Sequence, residues 1–222
     1  MEKKFILTDK FVINSFGIKL FQIKCTKSFK YAQKGDFGGY VEKEGNLDQE
    51  NDAWVSDNAW VSGDARVSGD AWVSDNAWVS DNAWVSDNAW VSDNARVSGN
   101  ARVSGDAWVS DNARVSGDAW VSGNARVSGD AWVSGDAWVS GDADIENDNE
   151  HCGFDGFGSC NRHTHAYMTK EKKVEIICGC FRGSIEEFEN KVEETHSGTV
   201  YEKQYKSIIN VIKIKFGLTD FT

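Results

Sequence analysis

The sequence has no proline, only two methionines, and not one threonine between Ala53 and Asp142. Without proline there is no polyproline spacer, and threonine-free repeats do not build a threonine-lined ice-binding face. No apolar run approaches the roughly 18 residues of a membrane span. The early stretch Phe5 to Leu7 is interrupted by Thr8, Asp9 and Lys10, too soon for a secretory signal. These absences point to a cytoplasmic chain without a membrane partner. Five cysteines is an odd number at no framework spacing, which favours reduced thiols. Strong positive charge is missing too: the net charge is −11, and only Met1 to Tyr40, with eight lysines against three acids, is basic. Such a balance offers no footprint for a phosphate backbone and excludes nucleic acid as the main partner.

What is present is a repeat. From Ala53 to Asp142 the unit Ala, Trp or Arg, Val, Ser, Gly or Asp, Asp or Asn recurs fifteen times without insertion. Ala and Val, two residues apart, share one side of a short strand, and Trp or Arg between them faces the other way. Turning the strand over would bury Arg66, Arg96, Arg102, Arg114 and Arg126 without acids beside them, so Ala and Val point inward. The last two residues of each unit tolerate left-handed backbone and make a corner. No corner carries two acids, which fits stacked corners where doubled carboxylates would repel and asparagines would form amide ladders. The register extends weakly outward: Val41 and Leu47 fall at position one, and Ala143 and Ile145 at positions one and three.

The unit resembles the hexapeptide repeat of the left-handed parallel β-helix found in bacterial hexapeptide-repeat acyltransferases. The handedness comes from that resemblance. With three units per coil, one face stacks Trp54, Trp72, Trp90, Trp108 and Arg126. The second stacks Trp60, Trp78, Arg96, Arg114 and Trp132, and the third Arg66, Trp84, Arg102, Trp120 and Trp138. The predicted fold class is mainly β: an N-terminal β cap (1–40), a β-helix (41–148) and a ββαα module (149–222). In the cap, Phe11 to Ile13 and Ile18 to Cys25 read as strands around a turn at Asn14 to Gly17, and Lys34 to Tyr40 joins it to the first coil. After a polar junction, Asp148 to Gly158, strands at Ala166 to Thr169 and Val174 to Cys178 precede two helices, the first opened by a Ser184–Glu187 capping box. The segments Gly35 to Glu44 and Cys178 to His196 are similar to the ends of hexapeptide-repeat proteins encoded in bacterial genomes and prophages. That resemblance carries no active site.

The transferase resemblance implies a trimer and a catalytic His near the coils. Here His151, His163, His165 and His196 all follow the repeat, no loop interrupts a coil, and His151 reads as a solvated junction residue, so no catalytic residue or cofactor is assigned. Cys160, His163, Cys178 and Cys180 offer zinc-type ligands at poor spacing; thiols without metal are the favoured reading. The first face, Trp54, Trp72, Trp90 and Trp108, is the candidate binding surface. Its tryptophans read as cladding that stacks on itself, as an interface for a protein partner or another copy of the chain, or as a glycan platform. The favoured function is a non-enzymatic rod that spaces or oligomerises its end modules, with a homotrimer as one form; a transferase and a polymer-forming β-helix are the alternatives.

Overall fold

The computed structural model describes residues 3–218. Three strands, β1 (Phe5–Ile13), β2 (Lys19–Cys25) and β3 (Phe37–Val41), form an antiparallel N-terminal sheet. Sixteen two-residue strands follow at six-residue steps, β4 (Trp54–Val55) to β19 (Asp144–Ile145). They stack in parallel into three faces whose columns are those of the eighteen-residue period, with Trp72 paired to Trp90, Arg96 to Arg114 and Trp120 to Trp138. The result is a three-sided parallel β-solenoid of about six turns, some 29 Å tall at about 4.8 Å per coil.

Every repeat Ala and Val is buried, from Ala53 to Val139, while Trp and Arg face out. An all-Ala/Val shaft is thin, and the coils are held by hydrogen bonds between neighbours. The position-two N–H donates to the position-one carbonyl of the next coil, as Trp72 does to Ala89 at 2.9 Å, and Ser74 N donates to Val91 O at 3.0 Å. All position-five residues take left-handed backbone, including Asp57 at φ 54° and Gly63 at φ 67°. The asparagine ladder forms: Asn82 Nδ2 donates to Asn100 Oδ1 at 3.0 Å, and Asn100 Nδ2 to Asp118 Oδ1 at 2.8 Å. One edge nevertheless stacks Asp57, Asp75, Asp93 and Asp111, an acidic column that the absence of doubled acids within a corner does not lead one to expect. Each carboxylate accepts from its own serine, Ser74 Oγ to Asp75 at 2.8 Å for example, and most also accept from the N–H one coil above.

Two expectations need correction at the ends. Val41 pairs with Val61 and Leu47 with Val67, so both occupy position three, not position one. The first coil is therefore twenty residues long, its surplus lying in the Asp48 to Asp52 segment. That bulge turns the Glu50 and Asn51 carbonyls toward the buried Lys4 ammonium, which also donates to Ala53 O, at 2.9, 3.1 and 2.9 Å. Gly38 and Gly39 lie within β3, where a Cβ would come within 2.5 Å of Val55 O and 2.7 Å of Ala59 O; they allow close approach of this strand to the first coil.

At the other end the junction is itself a strand, β20 (His151–Phe157), and the hairpin is wider than expected. The strands β21 (Arg162–Met168), β22 (Val174–Cys178) and β23 (Phe181–Ser184) complete a four-stranded antiparallel sheet, so two further strands flank the expected pair. Their Gly and polar content conceals the alternation that marks strands. Two helices, α1 (Ile185–His196) and α2 (Val200–Lys215), follow, and the Ser184–Glu187 capping box is reciprocal. One face of this sheet, with Tyr167 and Ile177, closes the shaft; the other, with Ala166, Ile176 and Cys178, packs on α1 and α2. No helix among the described residues is long and apolar enough to cross a membrane.

The N-terminal plug yields a stability prediction. Lys4→Met leaves the buried Ala53 carbonyl and the part-buried Glu50 and Asn51 carbonyls short of a donor and is expected to cost about 2 kcal/mol in urea unfolding, against near zero for the exposed Lys10→Met.

Candidate functional site

The outer columns are ladders of rings. Trp72, Trp90 and Trp108 stack at 5.2 Å between centroids with planes 10° and 12° apart, and Trp120 and Trp138 at 5.3 Å and 5°. Arg126 lies over Trp108 at 5.0 Å, Arg96 over Trp78 at 5.5 Å and Arg102 over Trp84 at 6.0 Å. Because stacked partners sit one coil apart, ring faces turn toward each other along the shaft and ring edges toward solvent. A sugar-binding platform needs a bare ring face, and along Trp72, Trp90 and Trp108 the stacking takes up those faces. Of the four tryptophans of the first face, Trp54 is only 2% exposed beneath Phe29, and Trp72 is half-buried against Tyr31 at 4.8 Å. Trp54 is thus part of the core, and Trp90 and Trp108 alone of the four remain exposed. Several indoles are pinned further: Trp72, Trp84, Trp120 and Trp132 donate from Nε1 to a serine of the coil below.

The C-terminal end holds a cluster that the sequence reading passed over. His163 and His165 alternate along β21, and His151 on β20 stands on the same side of the sheet, so all three rings converge on the last coil. His165 Nδ1 lies 2.9 Å from Trp138 O, which fixes that nitrogen as the donor. Its Nε2 then accepts from His151 Nδ1 at 3.1 Å. Burial is the main force that pushes His165 down to about 3 and also lowers His151. His165 is therefore no general base near neutral pH; it caps a strand-edge carbonyl. Asp148 caps the end of the neighbouring face, its Oδ1 accepting from Trp132 N at 2.7 Å. His151 is a buried member of this cap, contrary to the expectation of a solvated residue. The legible signal was the His163, His165 spacing, which puts two imidazoles on one face of a strand.

The four zinc-type residues are not brought together. His163 Nδ1 meets Asp155 on the solenoid side of the sheet, whereas Cys178 faces the helices, where its Sγ accepts from Thr164 Oγ1 at 3.2 Å. Cys160 and Cys180 are exposed on a groove of about 250 Å³ beside Arg162 and Tyr205. Among the described residues no group of three His, Cys, Asp or Glu side chains is placed to share a metal ion.

The periodic body, its three faces and its end plugs decide the class. The chain is a β-solenoid repeat protein. A family model described as the YdcK beta solenoid repeat matches 59–75, 65–81, 95–110, 107–123, 119–135 and 125–141. Each window opens on a repeat Ala and spans nearly one coil, and their starts differ by multiples of six, the period of the solenoid itself. No curated protein matches the chain at a significant level.

Ladder and cap both make measurable claims. Trp90→Ala removes two ring contacts and is expected to cost about 1 to 3 kcal/mol, more than Trp132→Ala, which has no ring neighbour among the described contacts. Below its ordinary value near 6.5, His165 takes up a proton only in the unfolded chain, so stability falls as pH drops from about 6.5 toward 3. In His165→Asn, whose side-chain amide can still donate to Trp138 O, the loss between pH 6.5 and 5 measured by urea midpoint should shrink by about 2 kcal/mol. An unchanged pH slope would show that His165 is not the group responsible.

Proposed function

We propose that this chain is a non-enzymatic spacer, a rod that holds its two end modules at a set distance and rotation. The observation that carries the reading is that neither module hangs on a linker. The N-terminal sheet runs without a break into one solenoid face, β1-β2-β3 followed by the strands of Trp60, Trp78, Arg96, Arg114 and Trp132. The C-terminal sheet is bonded to the last coil through His165, an Ala143–Thr169 bridge and Lys170 N to Asp142 O at 2.9 Å. Uninterrupted coils without a projecting loop, and a buried histidine cluster used for capping, weigh against acyl transfer.

The C-terminal module is the better candidate for partner binding. Val211, Ile214 and Leu218, spaced three and four residues apart along and just beyond α2, are 48%, 46% and 56% exposed and form an uncovered apolar stripe. A protein partner, or a second or third copy of the chain, would cover it. The likeness of both flanks to hexapeptide-repeat proteins of bacterial genomes and prophages supports a bacterial or phage setting.

Spin labels at Lys10→Cys and Glu186→Cys, with Cys160 and Cys180 changed to Ser, test the rod directly. A single narrow distance is expected. Deleting residues 77–94 should shorten the rod by about 4.8 Å and keep the distribution narrow. Deleting 77–82 should instead rotate the C-terminal module by about 120° about the axis. Broad distributions in the intact chain would end the spacer reading.

A further inference from the structure

On the second face two guanidinium groups of like charge are neighbours. Arg96, over Trp78, and Arg114, below Trp132, pair directly in adjacent coils, whereas in strand register Arg102 stands between Trp84 and Trp120 and Arg126 between Trp108 and Asp144. Like charges directly opposed in a sheet destabilise it. Neither arginine has a carboxylate oxygen within 4.0 Å; among the described residues Arg182 is the one arginine in an ion pair. A groove of about 480 Å³ lined by Arg96 opens between this face and the tip of the N-terminal hairpin, and Arg114, the strand neighbour of Arg96, follows one coil beyond that lining. Ser62, Ser80, Ser98 and Trp78 line it from the solenoid, and Phe16 and Ile18 from the hairpin, the Phe16 ring lying 5.6 Å from that of Trp78. Asp81 is the one acid lining it, and that carboxylate already accepts from Gly99 N at 3.0 Å and from Ser80 Oγ. Trp78 Nε1 adds an anomaly: four other indoles donate to a serine below, while this nitrogen is buried with no partner.

The groove thus joins an aromatic and apolar lining to two neighbouring guanidinium groups without a paired carboxylate. We propose that the groove next to Arg96 and Arg114 binds an organic oxyanion, a phosphate or sulfate ester carried on a ring-sized apolar group. The oxyanion would lie against the two guanidinium groups, which accept such groups in a bidentate manner, and the apolar part beneath Phe16. Binding would relieve the repulsion between the arginines, which supplies the reason for placing them together. This site is independent of the spacer reading, since it uses neither end module's partner surface.

Phenyl phosphate and phenyl sulfate, titrated separately into the full chain and followed by amide shifts in nuclear magnetic resonance, test the proposal, with phenol and inorganic phosphate as comparisons. Saturable shifts are expected for one or both esters, and the better ester identifies the oxyanion. Arg96→Gln and Arg114→Gln should each weaken binding about tenfold, and Arg102→Gln should leave it unchanged. Trp78→Phe, which keeps the ring and deletes the indole N–H, should weaken it less. Phenol binding as tightly as the esters would reduce the site to an apolar groove, and equal loss in Arg102→Gln would reduce it to general surface charge; either overturns the proposal. So does the absence of saturation at millimolar ester with the chain folded by circular dichroism.

Discussion

The structure depends on one interaction repeated from end to end, the backbone hydrogen bond from each coil to the next. Alanine and valine exclude water from the shaft, but their small side chains bury little apolar surface per ordered residue. The ladder supplies what the core lacks, and every coil is satisfied only if another lies above and below it. The first and last coils are therefore the weak points, since a parallel stack leaves unpaired groups at both ends. At the start, carbonyls of Ala53 and Ala65 are met by the Lys4 ammonium and the Asn46 side-chain amide. At the far end the N–H of Trp132 meets a carboxylate and the carbonyl of Trp138 an imidazole.

That polarity explains why the charged and ionisable residues with unusual surroundings gather at the ends. Lys4, His151 and His165 are all buried or nearly so, and each serves the edge of a sheet or a neighbour that does. In a sequence these residues look like candidates for catalysis or for idle solvent exposure. Their environment makes them plugs, and the cost is sensitivity to acid at the C-terminal end.

The solenoid was legible because its period is strict: inward Ala and Val, outward Trp and Arg, the corner pairs and the membership of all three columns follow from counting by six and eighteen. The places where counting fails are places where a module meets the coils. Val41 and Leu47 shift by two because Asp48 to Asp52 bulges toward Lys4, a contact with a residue more than forty positions away. The strand His151–Phe157 is hidden by two glycines and a polar composition, and it exists because β21 pairs with it. By composition the first face is the most aromatic of the three. Phe29 and Tyr31, which sequence periodicity cannot place, cover its lower end.

The strict coil has a consequence for how such a chain changes over generations. Each interior coil pairs only with its two neighbours, and the end modules reach no further than the first few or last few coils, as Tyr31 does to Trp72 and Lys170 to Asn124. Gene duplication or loss in whole-coil steps therefore leaves every contact type intact, so length can drift while both ends keep their fit. A change by one hexapeptide is different, because it moves Arg96 and Arg114 to another face relative to the Phe16 hairpin. Lineages carrying this architecture should accordingly differ in multiples of eighteen codons.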